Sequence, residues 1–243
     1  MSKIVSLIFA AWFGLILLVA ETSPSISNNS FDKNQKTHFD GEKFVNPEMN
    51  ERHGFSDMFA WKWGLKKDTV RYQYPVPENP QLPTLKEVNL QKIAQPPADS
   101  IYITWIGHAT FLIQWDGINI LTDPMFSKRA SPVSFAGPKR LIPPALSLEE
   151  LPEINMIAVS HSHYDHLDAA SINFLGNQPH YLLPLGLDNW FEKKGITNYS
   201  VYDWHESQAV GDFQIYCMPA QHFSARTLWD RNQSLWCGCR VVR

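Results

Sequence analysis

The chain has 243 residues, 44% of them hydrophobic and 19% charged, and carries a net charge of −3. This is a globular composition with room for one substantial domain and an extension. The slightly acidic balance and the lack of a basic run give no footing for nucleic acid as a partner.

The chain opens on Lys3 followed by the apolar run Ile4 to Ala20, and then by polar chain. A basic start, an apolar stretch and a small residue before a polar segment predict a secretory signal or a retained anchor over 1–20, and so an exported or membrane-associated protein. Residues 21–98 read as a spacer and N-terminal extension, with an aromatic helix-like stretch at 55–65 and a Pro-rich stretch at 74–83. From residue 99 the pattern changes. Short apolar strands are expected at 101–107, 109–115 and 118–124, with Asp116-Gly117 as a hairpin turn. A Pro- and Gly-bearing loop with basic residues covers 126–144. A short helix capped by Ser147 is expected at 147–153, a buried strand at 155–160 and a helix at 168–177. Further strands fall at 181–186, 201–204 and 213–220. This alternation of strands and helices predicts an α/β or α+β domain over 99–243. Cys217, Cys237 and Cys239 read as buried thiols rather than as a four-cysteine metal site.

The chemistry concentrates in His161, His163, Asp165 and His166, directly after the strand at 155–160. Three imidazoles and a carboxylate within six residues, next to an apolar strand, call for a partner, and a metal ion is the natural one. Imidazole and carboxylate suit zinc, with iron and manganese as rivals. His161 and His163 can approach one ion from one side, while Asp165 and His166 can point to a second.

The H-x-H-x-D-H run after a buried strand resembles the signature of the metallo-β-lactamase superfamily. Segments 105–113, 121–132, 137–140, 160–168, 183–190 and 220–230 further resemble the phospholipase D enzymes that hydrolyse N-acyl-phosphatidylethanolamine, and their bacterial relatives. The resemblance implies an α+β fold, the αββα sandwich, with the site between two sheets. It assigns His161, His163 and His222 to one metal, and Asp165 and His166 to a second and to catalysis. It places Asp123 beneath the metals and His108 beside the site in supporting parts. It implies Zn2+, two ions in the family's complete site and one here, because the family's bridging Asp and last His have no counterpart before Arg243. The sandwich is therefore expected to be incomplete at its C-terminus, and the chain to be a truncated form of a longer enzyme. Lys139 and Arg140 read as solvated surface, with lipid phosphate as the alternative.

The activity implied is hydrolysis of a phospholipid phosphodiester, in which metal ions make water a competent nucleophile. Its partners would be a phospholipid and a membrane surface, with a homodimer possible. A lactonase or β-lactamase on the same fold is the enzymatic rival. A secreted binding protein with a vestigial site is the non-enzymatic one.

Overall fold

The computed structural model describes residues 5–8, 17–20, 38–47, 60, 86–227 and 229–243. The stretches expected at 55–65 and 74–83 fall outside these residues, apart from position 60. Near the N-terminus, β1 (Val5–Ile8) and β2 (Leu17–Ala20) pair antiparallel. Among the described residues no helix is long and apolar enough to cross a membrane.

The centre of the molecule is a six-stranded mixed sheet. Its strands are β3 (Tyr102–Gly107), β4 (Thr110–Trp115), β5 (Ile118–Thr122), β6 (Met156–Ala158), β7 (His180–Pro184) and β8 (Tyr199–Tyr202), in that order. The first three form an antiparallel meander, while β5 through β8 run parallel. The second sheet has β9 (Ser207–Val210), β10 (Phe213–Met218) and β11 (Gly238–Val242), with β10 in the middle.

Side chains alternate across a strand, so a strand buried on both faces must be apolar at successive positions. Each central strand follows this rule. Phe111, Ile113, Ile120, Met156, Ala158 and Leu182 face the second sheet and pack with Phe213, Ile215, Cys217, Cys239 and Val241. Their neighbours Leu112, Leu121, Ile157, Tyr181 and Leu183 face the other way. They meet Ile93 of α1 (Leu90–Ala94), Ile172 of α2 (Ala169–Leu175) and Phe191 of α3 (Asp188–Glu192). Helix, sheet and sheet are the layers present among the described residues, in keeping with the expected sandwich.

Two local readings change. The stretch 147–153 forms a single turn in place of a helix. The Ser147 N–H donates to the Glu150 carboxylate at 2.8 Å, half of a capping box, but Pro152 has no N–H to continue it. The stretch expected as spacer is docked between 38 and 47: Phe44 is 7% exposed within the inter-sheet core, and its backbone bonds to Asn232. The buried His38 holds Asp203 at 2.6 Å and leans against Trp204, with ring centres 4.6 Å apart.

Because β5 and β6 are parallel, their C-terminal ends lie at one edge of the sheet. That edge is where Asp123 and the 160–168 loop emerge, and it is where open α/β sheets place ligands.

Candidate metal centre

Three histidines meet at this edge. His161 Nε2 lies 2.8 Å from His163 Nδ1, and His222 Nε2 lies 3.0 Å from His161 Nε2 and 3.3 Å from His163 Nδ1. Four bonds of 2.0–2.1 Å in tetrahedral array set nitrogens about 3.3–3.4 Å apart, so three imidazoles at these separations fit a shared ion. Burial pushes His163 and His222 down to about 4, and pushes His161 further below the ordinary imidazole range. The neighbouring imidazoles act the same way on His161 and His222. All three rings are therefore neutral at pH 7, the form a metal requires.

A second group stands alongside. His108, Asp165 and His166 each offer one donor atom, and these atoms lie within 4.8 Å of one another. His108 Nε2 is 2.9 Å from Asp165 Oδ2, and His166 Nε2 is 3.6 Å from the same oxygen. The His161 and His166 rings are 4.2 Å apart centre to centre, so the two groups share a wall. Burial raises the Asp165 carboxyl, but the hydrogen bond from His108 and the charge of His166 outweigh it and hold the acid well below its usual range.

Asp123 underlies both groups. Its Oδ1 accepts the Ser160 N–H at 2.7 Å. Its Oδ2 accepts the Ser160 hydroxyl at 2.7 Å and His166 Nδ1–H at 2.8 Å. With its proton given to Asp123, the Ser160 hydroxyl is free to accept His161 Nδ1–H, 2.8 Å away. One carboxylate thus sets two tautomers and leaves Nε2 of His161 and of His166 with lone pairs facing the site. It also raises His166, overriding the burial that would lower it. Asp123 and His108 both sit at positive φ, 35° and 52°, and such left-handed strain in non-glycine residues collects at functional sites.

The expected site residues are thus brought together: His161, His163 and His222 in one group, Asp165 and His166 in the other, Asp123 beneath both. His108 is drawn further in than expected, as a direct partner of Asp165. Lys139 is exposed, while Arg140 is tied to the carbonyls of Met125 and Ser127 and is a structural strut.

Two further residues of the site are not singled out by the sequence, although Arg226 lies within the segment 220–230. Arg226 Nη1 donates to the carbonyls of Ser162 at 2.8 Å and Leu167 at 2.6 Å, while its guanidinium lies 4.2 Å over the Tyr164 ring. It clamps the loop that carries four of the donors onto the segment that carries the fifth. Asn46 donates to the His222 carbonyl at 2.7 Å and accepts the His222 N–H at 3.3 Å. A segment 176 residues away therefore fixes the backbone of that histidine.

Similarity to known proteins agrees with this geometry. A model of the beta-lactamase superfamily domain matches residues 118–243, the stretch that carries every one of these donors but His108. The chain belongs to the metallo-β-lactamase superfamily. Within it, the chain is 33% identical to N-acyl-phosphatidylethanolamine-hydrolyzing phospholipase D 1 of Caenorhabditis elegans, over 93% of this chain and 66% of that one. It is 34% identical to the mitochondrial N-acyl-phosphatidylethanolamine-hydrolyzing phospholipase D of Saccharomyces cerevisiae, over 56% of this chain and 30% of that one. The chain therefore spans less than two thirds of either relative. Among solved structures, the metallo hydrolase Igni18 of Ignicoccus hospitalis aligns with 58% of this chain and 55% of its own, at 19% identity and a TM-score of 0.43.

Proposed function

We propose that the chain carries the metal centre of a zinc-dependent hydrolase that cleaves phosphodiester bonds of N-acyl-phosphatidylethanolamine-type phospholipids. The observation that carries this reading is the meeting of three neutral imidazoles, one buried and two half-buried, next to a carboxylate–histidine pair. The two relatives named as phospholipases support the choice of substrate. His161, His163 and His222 would hold a metal ion, which would supply Lewis acidity toward a phosphoryl oxygen and lower the pKa of water. An all-nitrogen donor set of three suits zinc with one position left for water or substrate.

The protein's own residues complete the arrangement. Ser160 and Asp123 hold His161 in the tautomer that presents Nε2. Asp123 does the same for His166, and His108 steers the Asp165 carboxylate. Asp165, partly exposed and ionised, can accept a proton from water or hold a second cation with His166.

The test is elemental analysis of the purified chain, followed by a substrate panel of an N-acyl phospholipid, a lactone and nitrocefin. Zinc at one or more equivalents with release of phosphatidic acid supports the proposal. Turnover of the lactone or nitrocefin alone would move the activity to another branch of the superfamily. A folded chain without metal and without turnover would refute it.

A further inference from the structure

The loop that follows Asp123 is built in a way that the metal centre does not require. From Pro124 to Leu148 the chain has no acidic residue and four basic ones, Lys128, Arg129, Lys139 and Arg140, in a protein of net charge −3. Its arms form a two-stranded ribbon. Ala130 N–H donates to the Pro138 carbonyl at 3.1 Å and Arg140 N–H to the Lys128 carbonyl at 2.9 Å, and Arg129 pairs with Lys139 as a bridge. The base is anchored, because the N–H groups of Phe126 and Ser127 and the Ser127 hydroxyl all donate to Asp168. The tip is tight: Gly137 has φ +93°, and a Cβ there would lie 2.7 Å from the Ser131 side chain.

This ordered ribbon points apolar groups outward. Phe135 is 80% exposed and Leu141 79%, with Val133 partly exposed beside them. Single exposed apolar residues are ordinary, but three on one anchored loop with several bases are not. The bridge places two like charges directly opposite each other, an unfavourable pair. Among the described residues no carboxylate lies in salt-bridge range of Lys128, Arg129 or Lys139.

We infer that the 128–141 ribbon docks on an anionic lipid surface, with Phe135, Val133 and Leu141 entering the acyl boundary and Lys128, Arg129 and Lys139 meeting the headgroup phosphates. Apolar tips flanked by bases match the two layers of such a surface. The ribbon starts five residues after Asp123, so docking would set the metal centre near the bilayer. The inference deepens the proposed function, but its test reads binding without turnover.

The test is co-sedimentation of the full chain with vesicles of phosphatidylcholine alone or with phosphatidylglycerol. The apolar N-terminal run is constant across all variants, so differences report on the ribbon. Lys128→Glu/Lys139→Glu should weaken binding to the anionic vesicles about thirtyfold or more, and added salt should weaken the parent. Phe135→Ser/Leu141→Ser should lower binding to the same vesicles. Hydrolysis of a water-soluble diester should stay at the parent's level in both, which separates a docking failure from a failed reaction assignment. All these positions but Arg129 are solvent-facing, and circular dichroism confirms the fold. Phe135→Cys, labelled with an environment-sensitive dye while the three native thiols stay buried, gives a second reading, a blue shift on anionic vesicles only. Equal binding of parent and charge variant would overturn the inference. So would an unshifted dye, or loss of self-association in place of loss of vesicle binding.

Discussion

The two donor groups at the sheet edge are built on opposite principles. The His161, His163 and His222 group is an all-imidazole set, neutral, with ring nitrogens 2.8, 3.0 and 3.3 Å apart. A single cation placed among the three nitrogens would satisfy all of them at once. The His108, Asp165 and His166 group mixes charge signs and already satisfies itself through the His108–Asp165 and His166–Asp123 bonds. The first group is therefore expected to take an ion ahead of the second. His161→Ala should break this comparison most directly. It removes a nitrogen from the first group, and metal content measured on the purified chain should fall by one equivalent, with hydrolysis dropping to background. Asp165→Asn should leave that equivalent in place while still lowering turnover. Equal metal loss in the two variants would show that the groups bind as one unit.

Asp123 is the point where the groups join, so its substitution should affect both. Asp123→Asn keeps the shape but presents only one acceptor oxygen to the donors Ser160 and His166. Supporting residues of this kind typically contribute 10- to 100-fold to metal affinity or activity. A competition titration with a chelator should show a loss in that range. Alanine at Ser160 should show a smaller loss that falls mainly on the first group, because His161 Nδ1 loses its 2.8 Å partner while His166 keeps its own bond to Asp123.

Arg226 comes next in size. Arg226→Ala leaves two carbonyls of the donor loop without their charged partner, at a cost of roughly 1.5–3 kcal/mol in stability. The thermal midpoint should fall, and zinc should restore part of it by binding the folded state. Arg226→Lys should recover less than half, since an ammonium cannot reach both carbonyls from over the Tyr164 ring. An unchanged midpoint in the alanine variant would remove Arg226 from the clamp.

The parts of this site differ in how far the sequence reveals them. His161 through His166 are legible because little besides a bound cation stabilises so dense a polar run beside an apolar strand. The strands of the central sheet are legible as apolar runs, yet the split of Leu112, Leu121 and Ile157 from their neighbours into a separate core appears only once helices cover one face. The resemblance marked Asp123 as a support, but its hold on two tautomers depends on the parallel pairing of β5 and β6. The parts played by Asn46 and Arg226 are illegible: each acts through backbone groups brought near by the chain's long-range path, and the resemblance of segment 220–230 says nothing of what Arg226 holds. The turn at 147–153 misleads for a local reason, since half of a capping box is present but Pro152 has no N–H to carry the turn on into a helix.

Acidity offers the gentlest test of the same contrast, in the metal-free chain. Burial lowers His163 and His222 to about 4, against an ordinary imidazole near 6.5, so between these values the unfolded chain binds more protons than the folded one. Stability from the first group is therefore complete above about pH 6.5 and is lost as pH falls toward 4. His166 behaves oppositely, because Asp123 raises it despite burial: its contribution is complete below about 6.5 and is lost as pH rises through its folded value. The thermal midpoint should thus sag on both sides of a maximum near pH 6.5, by a few degrees on each limb. His163→Gln should flatten the acid limb and leave the alkaline one, and Asp123→Asn should do the reverse. If His163→Gln flattens neither limb, the neutral character of the first group is wrong, and with it the reason for expecting that group to take the ion first.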